Sequence, residues 1–288
     1  MAQTSSPTVW RRWLALELRR LRRDAKLGQK EAGNLCGWSG ARLSYIEAAR
    51  QDAREDDLDK LLPLYNVPED NWADYYTAAE RSRERGWWER YQREMPDYLS
   101  LFLGLEQGAS VIQAFKLGVL PGLLQTADYA EAVLRRDVWP RTDQEIGRLV
   151  DLRIARQEIL TRTDQPLEYS VVIDEATLRH VARDASTMAA QLDHLTEMAE
   201  LPDVTIRVIP FGQGVQSYSQ TDFTIFDFAW ESDPLVVYIE HRDQALYLEE
   251  QQDIKGFVLA FHNLWQLAQN EEESLVTIRA IAKEYTKK

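Results

Sequence analysis

Leu14, Leu18, Leu21 and Ala25 recur at helical spacing through residues 10–25, with arginines on the remaining faces, and predict an amphipathic helix. Gly28 is expected to break it. A short second helix is expected from about Gln29 to Cys36, with Ala32 and Leu35 inward and Gly37 as a left-handed C-cap. Ser39 is placed to cap a third helix whose inward residues are Leu43 and Ile46. Two further helices, at about 56–65 (Leu58, Leu61, Leu62, Tyr65) and 69–80 (Trp72, Tyr75, Tyr76, Ala79), complete an all-α domain of five helices over residues 1–80. The polar run at 81–86 marks the expected boundary.

From Trp87 onward the pattern mixes two periods. Helical signals at about 126–136, 143–162, 185–200, 252–269 and 272–285 alternate with runs rich in β-branched and aromatic residues. Four of these runs read as strands: 168–174, 204–210, 222–228 and 235–241. The expectation for residues 81–288 is therefore a mixed α/β or α+β domain with a small sheet of about four strands. Phe257, Phe261, Leu264 and Leu267 share one face of a C-terminal helix, which suits either a core or a dimer contact.

A length of 288 residues accommodates two domains. No run approaches the roughly 18 apolar residues of a membrane span, and the first residues lack an apolar signal core of about 7–15 residues. A cytoplasmic protein is the expectation. Cys36 is the one cysteine, so no internal disulfide forms. The net charge of −13 argues against a polyanionic partner only until its distribution is read. Residues 1–50 hold ten Arg/Lys against four acids, a local +6, which leaves −19 on the remainder. Screening over about 8 Å lets such a cationic head hold a polyanion regardless of the acidic body.

The segment 27–50 carries the candidate chemistry. Two short helices joined across Gly37-Trp38-Ser39 need small residues where they cross, and Ala32 and Gly33 supply them. The second helix can then enter a major groove about 12 Å wide. With Leu43 and Ile46 inward, Ala41, Arg42 and Tyr45 face outward, flanked by Gly40 and Ser44. Arg42 has the planar fork that bonds guanine O6 and N7, and Tyr45 can reach a phosphate or a thymine methyl. Gln29, at a helix N-terminus, can meet a phosphate, and Lys30 and Arg50 are phosphate candidates. Together with Ser39 and Gly40 these are the expected contacts to double-stranded DNA.

The run L-x-Q-x-x-A-G-x-x-x-G-x-S-x-x-x-L-S-x-I-E, from Leu27 to Glu47, resembles the helix-turn-helix of the xenobiotic-response-element family, relatives of the phage Cro and repressor proteins. The resemblance implies a sequence-specific transcription regulator, with Glu47 pairing inside the domain. Gly40 and Ala41 stand where many relatives carry longer polar side chains, so fewer base contacts are on offer. Farther on, PGLLQTADYAEAVL (121–134), Arg156-Gln157, DEATLRHV (174–181) and the stretch 191–214 resemble the large uncharacterised domain joined to this motif in actinobacterial regulators. Such regulators are often encoded beside a small partner protein. The resemblance implies a homodimer controlled by a small-molecule effector or by that partner. An antitoxin-like or adaptor protein, whose DNA contact serves autoregulation, is the alternative.

Enzyme chemistry finds little support in the residues. His180, His194, His241 and His262 stand at no metal-ligand spacing, so no metal is expected. No nucleophile elbow, dinucleotide fingerprint or P-loop occurs, so no catalytic residue and no cofactor is expected. The glycine-containing stretch 211–217 reads as a turn, and Asp174 and Glu175 as helix caps. Cys36 reads as a small buried hydrophobe. Trp87, Trp88 and Tyr91 suit either packing or a pocket wall, and Gln125 and Tyr129 could face a ligand or partner.

Overall fold

The computed structural model describes residues 6–38, 41–213, 221–229, 234–241 and 244–287. The chain divides into two units, the first reaching to Glu89 and taking in Phe228, the second comprising Arg90–Asp227 and Leu235–Lys288. The division thus falls after residue 89 rather than 80, and Trp87 and Trp88 belong to the first unit.

The first unit is built on five helices: α1 (Pro7–Asp24), α2 (Gln29–Leu35), α3 (Arg42–Glu47), α4 (Glu55–Leu64) and α5 (Trp72–Arg81). Pro7 opens α1 at a position whose N–H has no helical partner to lose. Trp10, Trp13, Leu14 and Leu18 of α1 bury against Leu43 and Ile46 of α3 and Leu58, Leu61 and Leu62 of α4. Each such side chain contributes about 1.5–3 kcal/mol on burial, which holds helices this short in place. Trp13 also stacks on Tyr75 of α5 at 5.7 Å.

Helix ends explain the tight turns. At the close of α1, Lys26 takes a left-handed φ of 57°, Leu27 N donates to Arg22 O and Lys26 N to Arg23 O. This is the Schellman arrangement. It recurs after α2 at Gly37 (φ 73°) and after α3 at Ala49 (φ 53°). The first helix therefore ends at Asp24, and the chain turns at Lys26, two residues before the glycine expected to break it. Leu35 also departs from expectation: it is 63% exposed, and Cys36 takes the buried position instead. A seven-residue helix turns so little of its surface inward that Ala32, Gly33 and Cys36 fill that face.

The second unit is organised on a six-stranded sheet, not four strands, in the order β3-β2-β1-β4-β5-β6. Its strands are β1 (Val111–Lys116), β2 (Glu168–Asp174), β3 (Val204–Ile209), β4 (Phe223–Asp227), β5 (Val236–His241) and β6 (Gln244–Leu248). The first three run parallel, and β4, β5 and β6 follow on the other side of β1, each antiparallel to the strand before it in the sheet. Parallel neighbours need long crossovers. One holds α7 (Ala127–Arg135) and α8 (Asp143–Ala155), followed by a 3-10 turn, Arg156–Thr161. The other holds α9 (Glu175–Arg179) and α10 (Ala185–Met198). The element α6 (Asp97–Gly108) precedes β1, and α11 (Gln251–Leu267) and α12 (Glu271–Thr286) close the chain.

Strand alternation gives the sheet two apolar faces. Phe115, Val172, Ile209, Phe223, Ile225 and Val237 meet Phe257, Phe261 and Leu264 of α11, so that helix face is core. Tyr169, Ile112, Phe226 and Tyr238 occupy the register positions of the opposite face, where Phe102 of α6 packs 5.4 Å from Phe226. The outer edge of β3 is covered: Val208 O accepts from Gln269 N (2.9 Å) and Val208 N donates to Ser274 Oγ (3.0 Å). Arg207 on the same strand lies over the Trp265 ring at 4.2 Å. Asp174 caps α9 by accepting from Ala176 N at 2.9 Å. Of the stretch 211–217, Phe211–Gln213 forms a 3-10 turn and the rest lies outside the described residues.

Candidate nucleic-acid interface

Leu43 and Ile46 point into the core, so the opposite side of α3 faces out. Ala41 and Tyr45 are exposed, Tyr45 by 47%, and Ser44 is half-buried. Among the described residues the Tyr45 side chain has no hydrogen bond, ion pair or ring contact. Lys30 and Arg50 are exposed, and their side chains are likewise unpaired among the described residues. Ser39 and Gly40, expected at the start of α3, lie outside the described residues; the residue before the helix is Ala41.

A buried ionic clamp fixes the rear of this helix. Glu47, only 2% exposed at its side chain, accepts Arg22 Nε at 2.7 Å and Arg22 Nη2 at 2.9 Å. Gln29 Nε2 adds a third bond to Glu47 at 2.9 Å, and Arg22 Nη1 reaches Leu27 O at 2.8 Å. One carboxylate thereby ties α1, α2 and α3 together, and hydrogen bonding to it holds the Arg22 guanidinium above its ordinary pKa. Glu47 is structural, as the resemblance implied. The amide nitrogen of Gln29 is correspondingly corrected: it serves the clamp and does not project toward a phosphate.

Arg42 differs from the free fork expected of it. Its Nη2 pairs with Asp57 Oδ1 at 2.7 Å, and Asp57, buried at the start of α4, also accepts from Arg54 N at 3.0 Å. The Arg42 guanidinium packs on Trp38 at 5.3 Å, and Lys60 approaches the same ring at 5.9 Å. Its Nε is buried without a hydrogen bond. Two-point readout of a guanine by this side chain requires leaving Asp57. Trp38 and Asp57 thus shape the surface, though only Trp38 was visible in the motif. The crossing of α2 and α3 is also less crowded than expected: among the described residues, a Cβ added at Gly33 would meet no atom within 4 Å outside its own helix backbone and chain neighbours.

The residues expected to face a ligand or partner are mostly internal. Trp88 is buried edge-on to Trp87 at 5.9 Å, and an added Cβ at Gly86 would strike its ring at 2.4 Å. Tyr129 is buried, and its hydroxyl accepts from Leu120 N at 3.3 Å. Gln125 is buried with its Nε2 on Leu120 O (2.6 Å) and its Oε1 accepting from Arg153 Nη1 (2.9 Å). Packing therefore accounts for Trp88 and Tyr129, while Gln125 belongs to a polar cluster that sequence reading missed. Among the described residues no group of three or more His, Cys, Asp or Glu could hold a metal ion, and no helix is long and apolar enough to cross a membrane.

Comparison with known proteins agrees with the two-unit arrangement. A family model described as a helix-turn-helix domain matches residues 13–74, which supports a DNA-binding regulator. No curated protein sequence and no solved structure matches the chain. The model of a domain of unknown function, DUF5753, matches residues 99–280. That span exceeds half of the sequence and contains all six strands of the second unit, so the chain belongs to the DUF5753 family.

Proposed function

We propose that the chain is a sequence-specific transcription regulator of the xenobiotic-response-element type, reading double-stranded DNA with α3. The observation that carries this reading is the pairing of an exposed, uncommitted Tyr45 with a rear face locked by Arg22, Glu47 and Gln29. A recognition helix must be rigid behind and free in front, because disorder in the readout side chains costs affinity. Tyr45, Ala41 and Ser44 face bases, and Lys30 and Arg50 anchor phosphates, which fix register without reading sequence. A two-fold dimer sets two such helices about 34 Å apart on a near-palindrome. The second unit receives an effector, and differential binding of that effector to the DNA-competent state shifts operator occupancy.

The test is selection of bound sequences from a random duplex pool, followed by anisotropy titrations of the selected duplex and a scrambled one. Tyr45→Ala should cost about 1–3 kcal/mol on the selected duplex and little on the scrambled one. Arg50→Ala should weaken both alike and flatten the salt dependence by about one unit of slope. Failure of the pool to converge, or equal affinities of wild type and Tyr45→Ala, would refute the reading.

A further inference from the structure

Two arginine–carboxylate pairs flank α3, and they are built differently. In the Arg22–Glu47 clamp two guanidinium nitrogens meet two carboxylate oxygens, at 2.7 and 2.9 Å, and both side chains are largely enclosed. In the second pair only Arg42 Nη2 meets an oxygen, Asp57 Oδ1 at 2.7 Å. Among the described residues Arg42 Nε is buried with no acceptor, and the side chain is 37% exposed at the first residue of α3. A buried N–H without an acceptor is a standing penalty. This seat therefore uses half of a fork whose geometry fits two acceptors side by side. Trp38 supplies the rest of it, with its ring centroid 5.3 Å from the guanidinium carbon.

Asp57 has supports of its own. It is the third residue of α4, and its Oδ2 accepts the capping bond from Arg54 N at 3.0 Å. The N-terminus of α4 favours a carboxylate there through its unsatisfied N–H groups and its dipole. Both supports persist when the guanidinium departs, so opening the pair does not orphan the acid. The N-terminal residues of a recognition helix are those that meet base edges. A guanine presents O6 and N7 side by side in the major groove, the pair of acceptors that the seat lacks.

We propose that Arg42 is a parked guanine reader and that Asp57 is the positioning residue that holds it, the pair opening only where a guanine offers two acceptors in exchange. On other sequences Arg42 stays on Asp57, and the closed pair presents no net charge to the phosphates. The inference rests on the regulator reading above and adds one base position to it.

The test keeps net charge fixed. The double variant Arg42→Met/Asp57→Asn removes both charges together, keeps an apolar stem beside Trp38 and leaves an amide oxygen for Arg54 N. Anisotropy titrations of the full chain use the duplex selected from the random pool, a scrambled duplex, and copies of the selected duplex with each G·C pair changed in turn to A·T. Wild type should bind the selected duplex about three- to tenfold more tightly than the double variant, the worth of a two-bond guanine contact less the pair given up. On scrambled DNA the two should agree within about twofold, because their charge is the same. Changing one particular G·C pair should abolish the advantage of wild type. Asp57→Asn alone should bind the selected duplex more tightly than wild type, since nothing holds Arg42 back. Stoichiometric titration counts the competent fraction of each preparation, and affinities are compared per competent molecule.

Equal affinities of wild type and double variant for the selected duplex would overturn the inference. An equal advantage on both duplexes would overturn it by making Arg42 a phosphate anchor. Unchanged or weaker binding by Asp57→Asn would do so by making Asp57 a buttress. A double variant that does not fold would also overturn it, because a pair that opens on DNA cannot be essential to the fold. A pool that fails to converge would instead remove the regulator reading, and this inference with it.

Discussion

Replacing Glu47 by Gln tests whether the clamp behind α3 is what makes that helix a rigid unit. The change preserves shape and one acceptor oxygen but leaves Arg22 charged, with its side chain 11% exposed and Leu27 O as its remaining strong acceptor. Removing one member of a buried ion pair costs about 3–5 kcal/mol. The retained hydrogen bond returns about 1 kcal/mol, leaving a loss of about 2–4 kcal/mol. In a domain of this size each kcal/mol moves the melting temperature by roughly 4–8 °C, so the first unit should melt on the order of 8–32 °C lower. Circular dichroism melts give the overall change, and hydrogen exchange read by mass spectrometry assigns it: peptides from α1–α3 should lose protection while those from β1 and β2 keep theirs. A cycle with Arg22→Met adds the decisive number. If the two groups interact as placed, the double variant is less damaged than the two singles predict together. A loss under about 0.5 kcal/mol, or a coupling near zero, would place this pair among ordinary surface ion pairs and refute the reasoning.

Three further outcomes are expected. Gly33→Ala should stabilise the first unit by about 0.5–1 kcal/mol in urea denaturation, since a helix-interior glycine gains propensity there and the added Cβ meets open space. The Cys36 thiol is buried and its pKa is pushed up by that burial, so iodoacetamide should label it only in denaturant; rapid labelling of the native chain at mild pH would contradict the packing. Asp184 accepts from Thr187 N at 2.8 Å and Ser186 Oγ at 2.8 Å, which holds its carboxyl down to about 2 from 3.8. A depressed carboxylate stabilises the fold above its unfolded value and loses that contribution as pH falls toward about 2. An NMR titration of Asp184 should show the low midpoint, and a midpoint near 3.8 would deny the cap.

The helices of the first unit were legible because each repeats apolar residues at helical spacing, and α3 was placed by Leu43 and Ile46 alone. Its partners were not. Arg22 and Glu47 lie 25 positions apart and Arg42 and Asp57 fifteen, and no local pattern joins charges over such spans. Strand β1, central in the sheet, escaped notice because Gln113 and Ala114 dilute its apolar run, although both flanking strands were found with accurate limits. Strand β6 is five residues long and opens with an exposed Gln244. Helix α6 is apolar on most sides and carries Gly104 and Gly108, so it shows little amphipathic rhythm.

The covered margin of β3 has a consequence for association. With Val208 engaged by Gln269 and Ser274, a foreign strand cannot add there without first stripping away the start of α12. At the far margin, among the described residues, the backbone of β6 pairs with β5 alone and Leu246 is exposed. The second unit is therefore a one-ended template: two copies could zip together through β6 and stop, whereas an open-ended ribbon of copies has nowhere to continue.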